Sequence, residues 1–285
     1  MAGTITRAIS AGIAALDRMQ AGDGSFPFFT RLETTGWKPC GRLFSTAYIM
    51  LGAGKMLPRD GIARAAGFIA SQRGADGLWE YDPAINVPPD SDTTACALAA
   101  LLSHNELPDR DAEARLLRTF WRADAGRFRS WNASGIWSLP ERDDPVVNCN
   151  ILYALKLLGS PATAEETFAV SGFLRTSRPP RYYCAPSTIA HAARRAGLGH
   201  DALPSFATAA PAETDLMGCV QWLCGMQKAH MKRVDAVLAA QQVDGSWPIR
   251  PWVTGAGQPR PFWGSSAITT ALAVEALASA QSSSI

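Results

Sequence analysis

Gln241-Gln242-Val243-Asp244-Gly245-Ser246-Trp247 closes one helical stretch and opens a loop that leads to another. Gln72-Arg73-Gly74-Ala75-Asp76-Gly77-Leu78-Trp79 does the same earlier in the chain, and Gln20-Ala21-Gly22-Asp23-Gly24-Ser25-Phe26 earlier still. Trp121-Arg122-Ala123-Asp124-Ala125-Gly126-Arg127-Phe128 is a degraded copy. Along the chain the first three copies of the Asp/Gly core, at Asp23, Asp76 and Asp124, recur at roughly 50 residues, a period of repeated supersecondary units. Glycine supplies the left-handed end of a helix, and aspartate tolerates the turn beside it. Glutamine can tie the helix end to a neighbour, and the aromatic ring can cover that contact.

Helical periodicity runs through the chain and no convincing strand alternation appears. It predicts helices at 5–20, 45–56, 59–72, 95–102, 109–122, 145–158, 161–175, 186–196, 200–209, 212–226, 229–241 and 264–280. Around the turns a polar-faced helix precedes the loop and a more apolar helix follows. Ala95–Leu102 and Ala267–Leu277 are apolar nearly all round, as helices buried on every side must be. Outer helix, long loop, inner helix, repeated six times, gives an all-α fold: an α/α double barrel of about six hairpins, one domain spanning 1–285. The long loops then gather at one mouth, at the N-terminal ends of the inner helices.

Composition removes several functions. The 285 residues are 47% hydrophobic and 18% charged, so much of the chain is interior. A formal charge of +2 without a Lys/Arg run gives no footprint for nucleic acid. No apolar run reaches the ~18 residues of a membrane span. Residues 1–20 mix apolar positions with Arg7, Asp17 and Arg18, unlike a signal peptide. The six cysteines form no C-x-x-C pair and read as small buried thiols of a reducing, cytoplasmic setting. The four histidines have no metal-ligand spacing, so no metal site is expected.

At the mouth stands Pro88-Pro89-Asp90-Ser91-Asp92-Thr93-Thr94, directly before the apolar helix. On the residues alone, two readings stand: an N-cap favoured by the helix dipole, or a pair of carboxylates doing acid chemistry. Around it the mouth loops carry Phe26, Phe28, Phe29, Trp37, Phe44, Trp131, Trp137, Tyr182, Tyr183, Trp252, Phe262 and Trp263. They also carry Lys38, Arg42, Arg129, Arg142, Arg181, Arg250 and Arg260.

The Gln/Trp turns and the Asp-x-Asp-Thr-Thr-Ala helix start resemble the terpenoid-cyclase and prenyltransferase α/α-barrel superfamily. Asp90-Ser91-Asp92-Thr93 resembles the acid motif of proton-initiated (class II) cyclases, with Thr93 in place of a last Asp, as in bacterial drimane-type cyclases. Val146–Leu152 and Ala267–Leu272 resemble inner-helix segments of the same group. The resemblance implies protonation of a linear isoprenoid, farnesyl diphosphate before others, and cyclisation to a bicyclic drimane-type diphosphate.

An alkene is a very weak base, so the donor must stay protonated although an ordinary Asp titrates near ~3.9. A neighbouring carboxylate and an apolar surround both favour the protonated form. By the resemblance Asp92 is the donor and Asp90 its partner, with Thr93 or Thr94 steadying the pair. Asn148 and Asn150 could be polar helix-start residues; alternatively Asn148, if it faces the cavity, could orient the acid or a quenching water. Aromatic faces stabilise cations by roughly 0.5–2 kcal/mol each. The expected substrate wall is Trp37, Phe44, Trp131, Tyr182, Tyr183, Trp252, Phe262 and Trp263, with Lys38, Arg42, Arg181 and Arg260 for the head group. No tightly bound cofactor is expected, and Mg²⁺ would enter with a diphosphate. Asp143-Asp144 before Pro145 read as caps ahead of Mg²⁺ ligands.

Full-length class II enzymes usually close their cavity with a second helical domain. The expected partners here, besides the isoprenoid, are therefore a second copy, a phosphatase or other domain, and a peripheral membrane contact. Two alternatives share the barrel. A protein prenyltransferase-like subunit holds zinc through an Asp-x-Cys pair and a distant His, and no Asp-x-Cys occurs. A non-catalytic isoprenoid-binding barrel would bind without turnover.

Overall fold

The computed structural model describes residues 2–82, 87–104, 109–132, 142–226, 230–255 and 258–282. The chain order is α1 (Ala2–Met19), β1 (Phe29–Leu32), β2 (Lys38–Pro39), α2 (Leu43–Ala53), α3 (Arg59–Ser71), α4 (Ser91–Leu102), α5 (Arg110–Arg118), β3 (Trp121–Arg122), β4 (Arg127–Phe128), α6 (Pro145–Leu157), α7 (Ala164–Thr176), α8 (Thr188–Ala196), α9 (Ser205–Thr208), α10 (Leu216–Met226), α11 (Met231–Ala239), β5 (Pro251–Thr254), β6 (Pro261–Gly264) and α12 (Ser266–Ser282).

The even-numbered helices form the inner ring. α2 packs on α4, α4 on α6, α6 on α8, α8 on α10, α10 on α12, and α12 closes back on α2. The odd-numbered helices pack outside them, α1 on α12 and α3 on α2 and α4. This is the α/α barrel that the repeats predict. Beyond its first turn α4 is apolar on all sides because all its sides are covered: every residue of α4 is buried. The outer helices keep one polar face; α3 buries only Gly61, Ala65, Ala66 and Ile69. One expected helix is much shorter: 200–209 resolves into a 3₁₀ turn at His200–Ala202 and the single turn of α9. Among the described residues no helix is long and apolar enough to cross a membrane.

The turns hold adjacent outer helices together. Gln20 donates from its side-chain amide to the carbonyls of Gly24 (2.9 Å) and of Gly61 on α3 (2.7 Å). Gln241 donates likewise to Gly245 (2.9 Å) and to Ala8 on α1 (2.9 Å). Trp79 and Trp247 donate their indole N–H groups back to Ile69 (2.8 Å) and Val237 (2.7 Å). In the second turn Arg73 takes over from glutamine. It donates to the Gly77 carbonyl (2.9 Å) and pairs with Glu113 of α5 (2.8 Å).

A second tie repeats inside. A side chain one turn into an inner helix accepts the N–H of the turn's aromatic residue. Thr46 takes Phe26 (2.9 Å), Thr94 takes Trp79 (3.2 Å), Asn148 takes Phe128 (2.8 Å) and Thr270 takes Trp247 (3.0 Å).

The sequence pattern contains no strand signal, yet the mouth loops carry a four-stranded antiparallel sheet in the order β2-β1-β6-β5. Phe29 of β1 stands opposite Gly264 of β6, and Leu32 opposite Pro261. These strands are two to four residues long and begin or end in proline at Pro39, Pro251 and Pro261, which hides any alternation. Their pairing joins the loop before α2 to the loop before α12, the two ends of the chain.

Candidate active site

Asp90 caps α4. Its backbone is extended and its Oδ1 accepts the N–H of Thr93 at 2.6 Å. Antiparallel bridging to Trp131 and two bonds from Ser91, to the carbonyls of Ser130 (3.0 Å) and Arg129 (2.7 Å), fix the helix start against the loop before α6. The cap reading of Asp90 is therefore literal. It uses one oxygen only; Oδ2 is buried without a hydrogen-bond partner among the described residues.

Asp92, one residue into the first turn, points its carboxyl across the barrel. Tyr183 donates its hydroxyl to Oδ2 at 2.6 Å, and Asn150 of α6 donates its amide to Oδ1 at 2.7 Å. The thiol of Cys96, one helical turn below, lies 3.8 Å from Oδ1. Both carboxyls are held above the ordinary carboxylate range. For Asp90 the cause is burial, then the charge of Asp92. For Asp92 it is burial, opposed by the bonds from Tyr183 and Asn150 and reinforced by Asp144. Two carboxyls that resist ionisation side by side are a hallmark of acid–base sites.

Both open on a cavity at the mouth. Its wall includes Phe44, Tyr81, Val87, Thr93, Ser130, Trp131, Val147, Tyr182, Tyr183, Val253, Thr254, Gly255 and Trp263, and two cations, Arg142 and Arg181. Trp131 donates to the Tyr182 hydroxyl (2.8 Å) and meets its ring edge-on at 5.7 Å. Trp252 stacks behind Phe44 at 5.2 Å and meets Tyr48 at 4.4 Å and Tyr183 at 5.6 Å. It backs the wall and is fully buried.

Of the residues singled out from sequence, Asp90, Asp92, Thr93, Phe44, Trp131, Arg181, Tyr182, Tyr183 and Trp263 thus meet around one cavity. Others sit elsewhere. Thr94 and Asn148 serve the repeated tie to the turns. Asn148 also donates to the carbonyls of Phe128 and Asp144, both at 3.1 Å, so its amide is spent on backbone. Trp37 lies under Arg31, and Phe262 stands between Arg31 and Arg260 on the loop sheet. Lys38 is exposed on β2. Arg42 donates to the Ser25 hydroxyl (3.1 Å), and Arg260 to the Thr254 hydroxyl (2.8 Å). Trp137 lies outside the described residues.

The acidic pair before α6 is engaged. Asp143 pairs with Arg127 at 2.9 Å. Asp144 caps α6 through Val146 (2.8 Å) and accepts the N–H groups of Arg181 (2.6 Å) and Tyr182 (3.1 Å). Among the described residues, His191, Cys224 and Glu275 could together offer three metal-ligand atoms, on α8, α10 and α12. They line no part of this cavity. Glu275 already takes Arg195 (2.7 Å) and His191 (2.9 Å). Burial would raise this carboxyl, but Arg195, ahead of His191 and Arg194, holds it at about 2. A site whose carboxylate is neutralised by a buried guanidinium suits a cation poorly.

Sequence reasoning left Cys96 among the buried thiols, weighed Asn150 only as a helix-start residue, and passed over Tyr81. A register signal was there for the first two. Counting two residues on from each repeated tie gives Tyr48, Cys96, Asn150 and Leu272, one position on four inner helices. Tyr48, Cys96 and Asn150 all gather around Asp92.

The fold is the α/α barrel seen in solved type II terpene cyclases. A single-site variant of the type II terpene cyclase MstE from Scytonema, without ligand, superposes with a TM-score of 0.74 at 14% identity, over 99% of this chain and 98% of that one. MstE carrying geranylgeranyl dihydroxybenzoate as its substrate gives 0.71 at 15% identity, over 99% of each chain. A protein from Actinoplanes gives 0.64 at 16% identity, over 97% of this chain and 99% of that one. At such identities the likeness establishes the fold. Neither a protein-family profile nor a curated protein matches the chain.

Proposed function

We propose that the chain is a class II terpene cyclase, one barrel domain over 1–285, with Asp92 as its proton donor. The observation that carries the reading is the Asp92 carboxyl: buried, resistant to ionisation, facing an aromatic cavity and gripped by Tyr183 and Asn150.

In this reading Asp92 passes its proton to the terminal alkene carbon of a folded isoprenoid and a tertiary cation forms. The carboxylate left behind accepts from Tyr183 and Asn150. Both bonds strengthen as negative charge develops, which is selective stabilisation of the transition state. Burial keeps the proton on the acid at rest, and the two donors make it easier to give up. The successive cations migrate along Phe44, Tyr81, Trp131, Tyr182 and Trp263, whose faces attract positive charge. Asp90, itself resistant to ionisation, stands beside the acid as its partner.

Arg142 and Arg181 serve an anionic head group. Farnesyl diphosphate, cyclised to a bicyclic drimane-type diphosphate, is the substrate first in line, and Mg²⁺ would accompany it. MstE with geranylgeranyl dihydroxybenzoate supplies the alternative head group and a longer chain. Incubation with farnesyl diphosphate, geranylgeranyl diphosphate and geranylgeranyl dihydroxybenzoate, followed by mass spectrometry, tests the reading. Cyclised product is expected from one of them and none from Asp92→Asn. Product that survives in Asp92→Asn removes Asp92 from its role. Three uncyclised substrates favour the non-catalytic barrel.

A further inference from the structure

Tyr183 reaches Asp92 from a segment that has no helix of its own to hold it. Residues 181–184 run along the edge of the loop sheet. Thr254 of β5 donates its N–H to the Tyr182 carbonyl at 2.8 Å, and Cys184 donates to the Trp252 carbonyl at 2.9 Å. Tyr183 itself bridges Val253. On the opposite side the side chain of Asp144 holds the backbone of the segment. Oδ2 of Asp144 accepts the N–H of Arg181 at 2.6 Å and of Tyr182 at 3.1 Å, while its Oδ1 caps α6. Asp144 is wholly buried, and the Ser130 hydroxyl accepts its own N–H at 3.1 Å.

We infer that Asp144 is a positioning residue for the acid: by clamping the backbone of Arg181 and Tyr182 against the loop sheet, it sets the Tyr183 hydroxyl on Asp92. The inference rests on the proposed role of Asp92 and adds a residue that touches neither the Asp92 carboxyl nor the cavity. Its charge explains why an aspartate fits. Only a carboxylate offers one oxygen to the helix cap and a second to two more N–H groups. Asparagine or serine at 144 still caps α6 but has no second acceptor for them.

Asp144 acts on Asp92 in two opposed ways. Through space its negative charge favours the proton on Asp92; through Tyr183 it favours release. A single substitution mixes the two, so the test is a double-mutant cycle with Asp144→Asn, Tyr183→Phe and the pair. The groups facing Asp92 that also titrate or carry charge are Asp90, Tyr81, Cys96, Tyr48 and Cys149, and they are the same in all four proteins.

The Asp92 carboxyl is followed by carbon-13 NMR across pH, and kcat is measured on the substrate that turns over. Tyr183→Phe should move the Asp92 titration upward by about one pH unit, the worth of a hydrogen bond to a charged group. Asp144→Asn should move it upward relative to its effect in the Tyr183→Phe background, where only the through-space term is left. In kcat each substitution should cost about tenfold or more, and the pair little more than Tyr183→Phe alone. Equal shifts in both backgrounds, or kcat losses that multiply, overturn the inference. The titration needs no turnover. Coupled shifts in a protein that cyclises nothing would keep Asp144 as the positioning residue and sink the cyclase reading instead. Should Asp144→Asn fail to fold, Asp144→Ser retains the cap and replaces it in the cycle.

Discussion

The Tyr183 hydroxyl donates to Oδ2 of Asp92 at 2.6 Å, across 91 residues of chain. A phenol hydrogen-bonds a carboxylate more strongly than a carboxylic acid, so this bond favours loss of the Asp92 proton. Tyr183→Phe should therefore give a weaker acid. The bond is worth about 1.5–3 kcal/mol, and kcat should fall roughly 10- to 100-fold. In the proposed mechanism the active form is the protonated one, so activity should be lost as pH rises through the Asp92 pKa. Without the phenol that descending limb should move to higher pH. A pH–rate profile of both proteins reads both effects, and a limb that moves down would contradict the assignment.

Asn148 and Asn150 separate structure from chemistry within one turn of α6. Asn148 binds the Phe128 N–H and two carbonyls, all backbone and all buried. Asn148→Ala strands those groups and should cost about 2–4 kcal/mol of stability, seen in thermal melts, with any kcat of the folded protein nearly intact. Asn150→Ala removes a donor from Asp92 and should do the reverse, cutting kcat about tenfold or more with a smaller change in melting temperature.

The barrel was legible because its repeat is a backbone necessity. Gly24 and Gly245 take φ of 88° and 85° at the ends of α1 and α11, and the glutamines beside them have carbonyls on the next outer helix to satisfy. Such needs recur wherever the geometry recurs, so they leave a period. The acid pair was legible because it breaks that pattern, placing two carboxylates before a helix with no polar face. The loop sheet was not legible. Its strands are too short to alternate, and β1 finds its partner β6 from the far end of the chain. The same distance hid the partners of Asp92. Trp252 and Phe262 were read as wall because aromatic residues in mouth loops look alike, and only packing tells a ring that faces the cavity from one stacked behind it.

Two glycines test the turn geometry. A Cβ at Gly24 would fall 2.2 Å from the Arg64 carbonyl oxygen, on top of a φ of 88°. Gly159 has a φ of 77° and open space around it. Gly159→Ala should cost only the left-handed strain, about 1–2 kcal/mol. Gly24→Ala must also push α1 and α3 apart and should cost more than 3 kcal/mol, or yield no folded protein. Denaturant titration of the two variants checks the order.

Asp90 and Asp92 should both weaken the fold they activate. Each carboxyl is raised above its ordinary pKa, so the folded chain holds protons that the unfolded chain releases. That contribution to stability is complete below the ordinary carboxylate pKa and is lost as pH rises through the folded values. At neutral pH the pair is therefore a burden on the fold. Asn at either position abolishes the titration, and at 90 it still accepts the Thr93 N–H and caps α4. Asp90→Asn should thus melt no lower than the parent, and about 2 °C or more higher at pH 8, with the difference shrinking toward pH 4. If Asp90 also tunes the acid, kcat should fall about tenfold in this more stable protein. An unchanged kcat would leave Asp90 as a cap alone. Asp92→Asn should show the same gain in stability and no turnover at any pH.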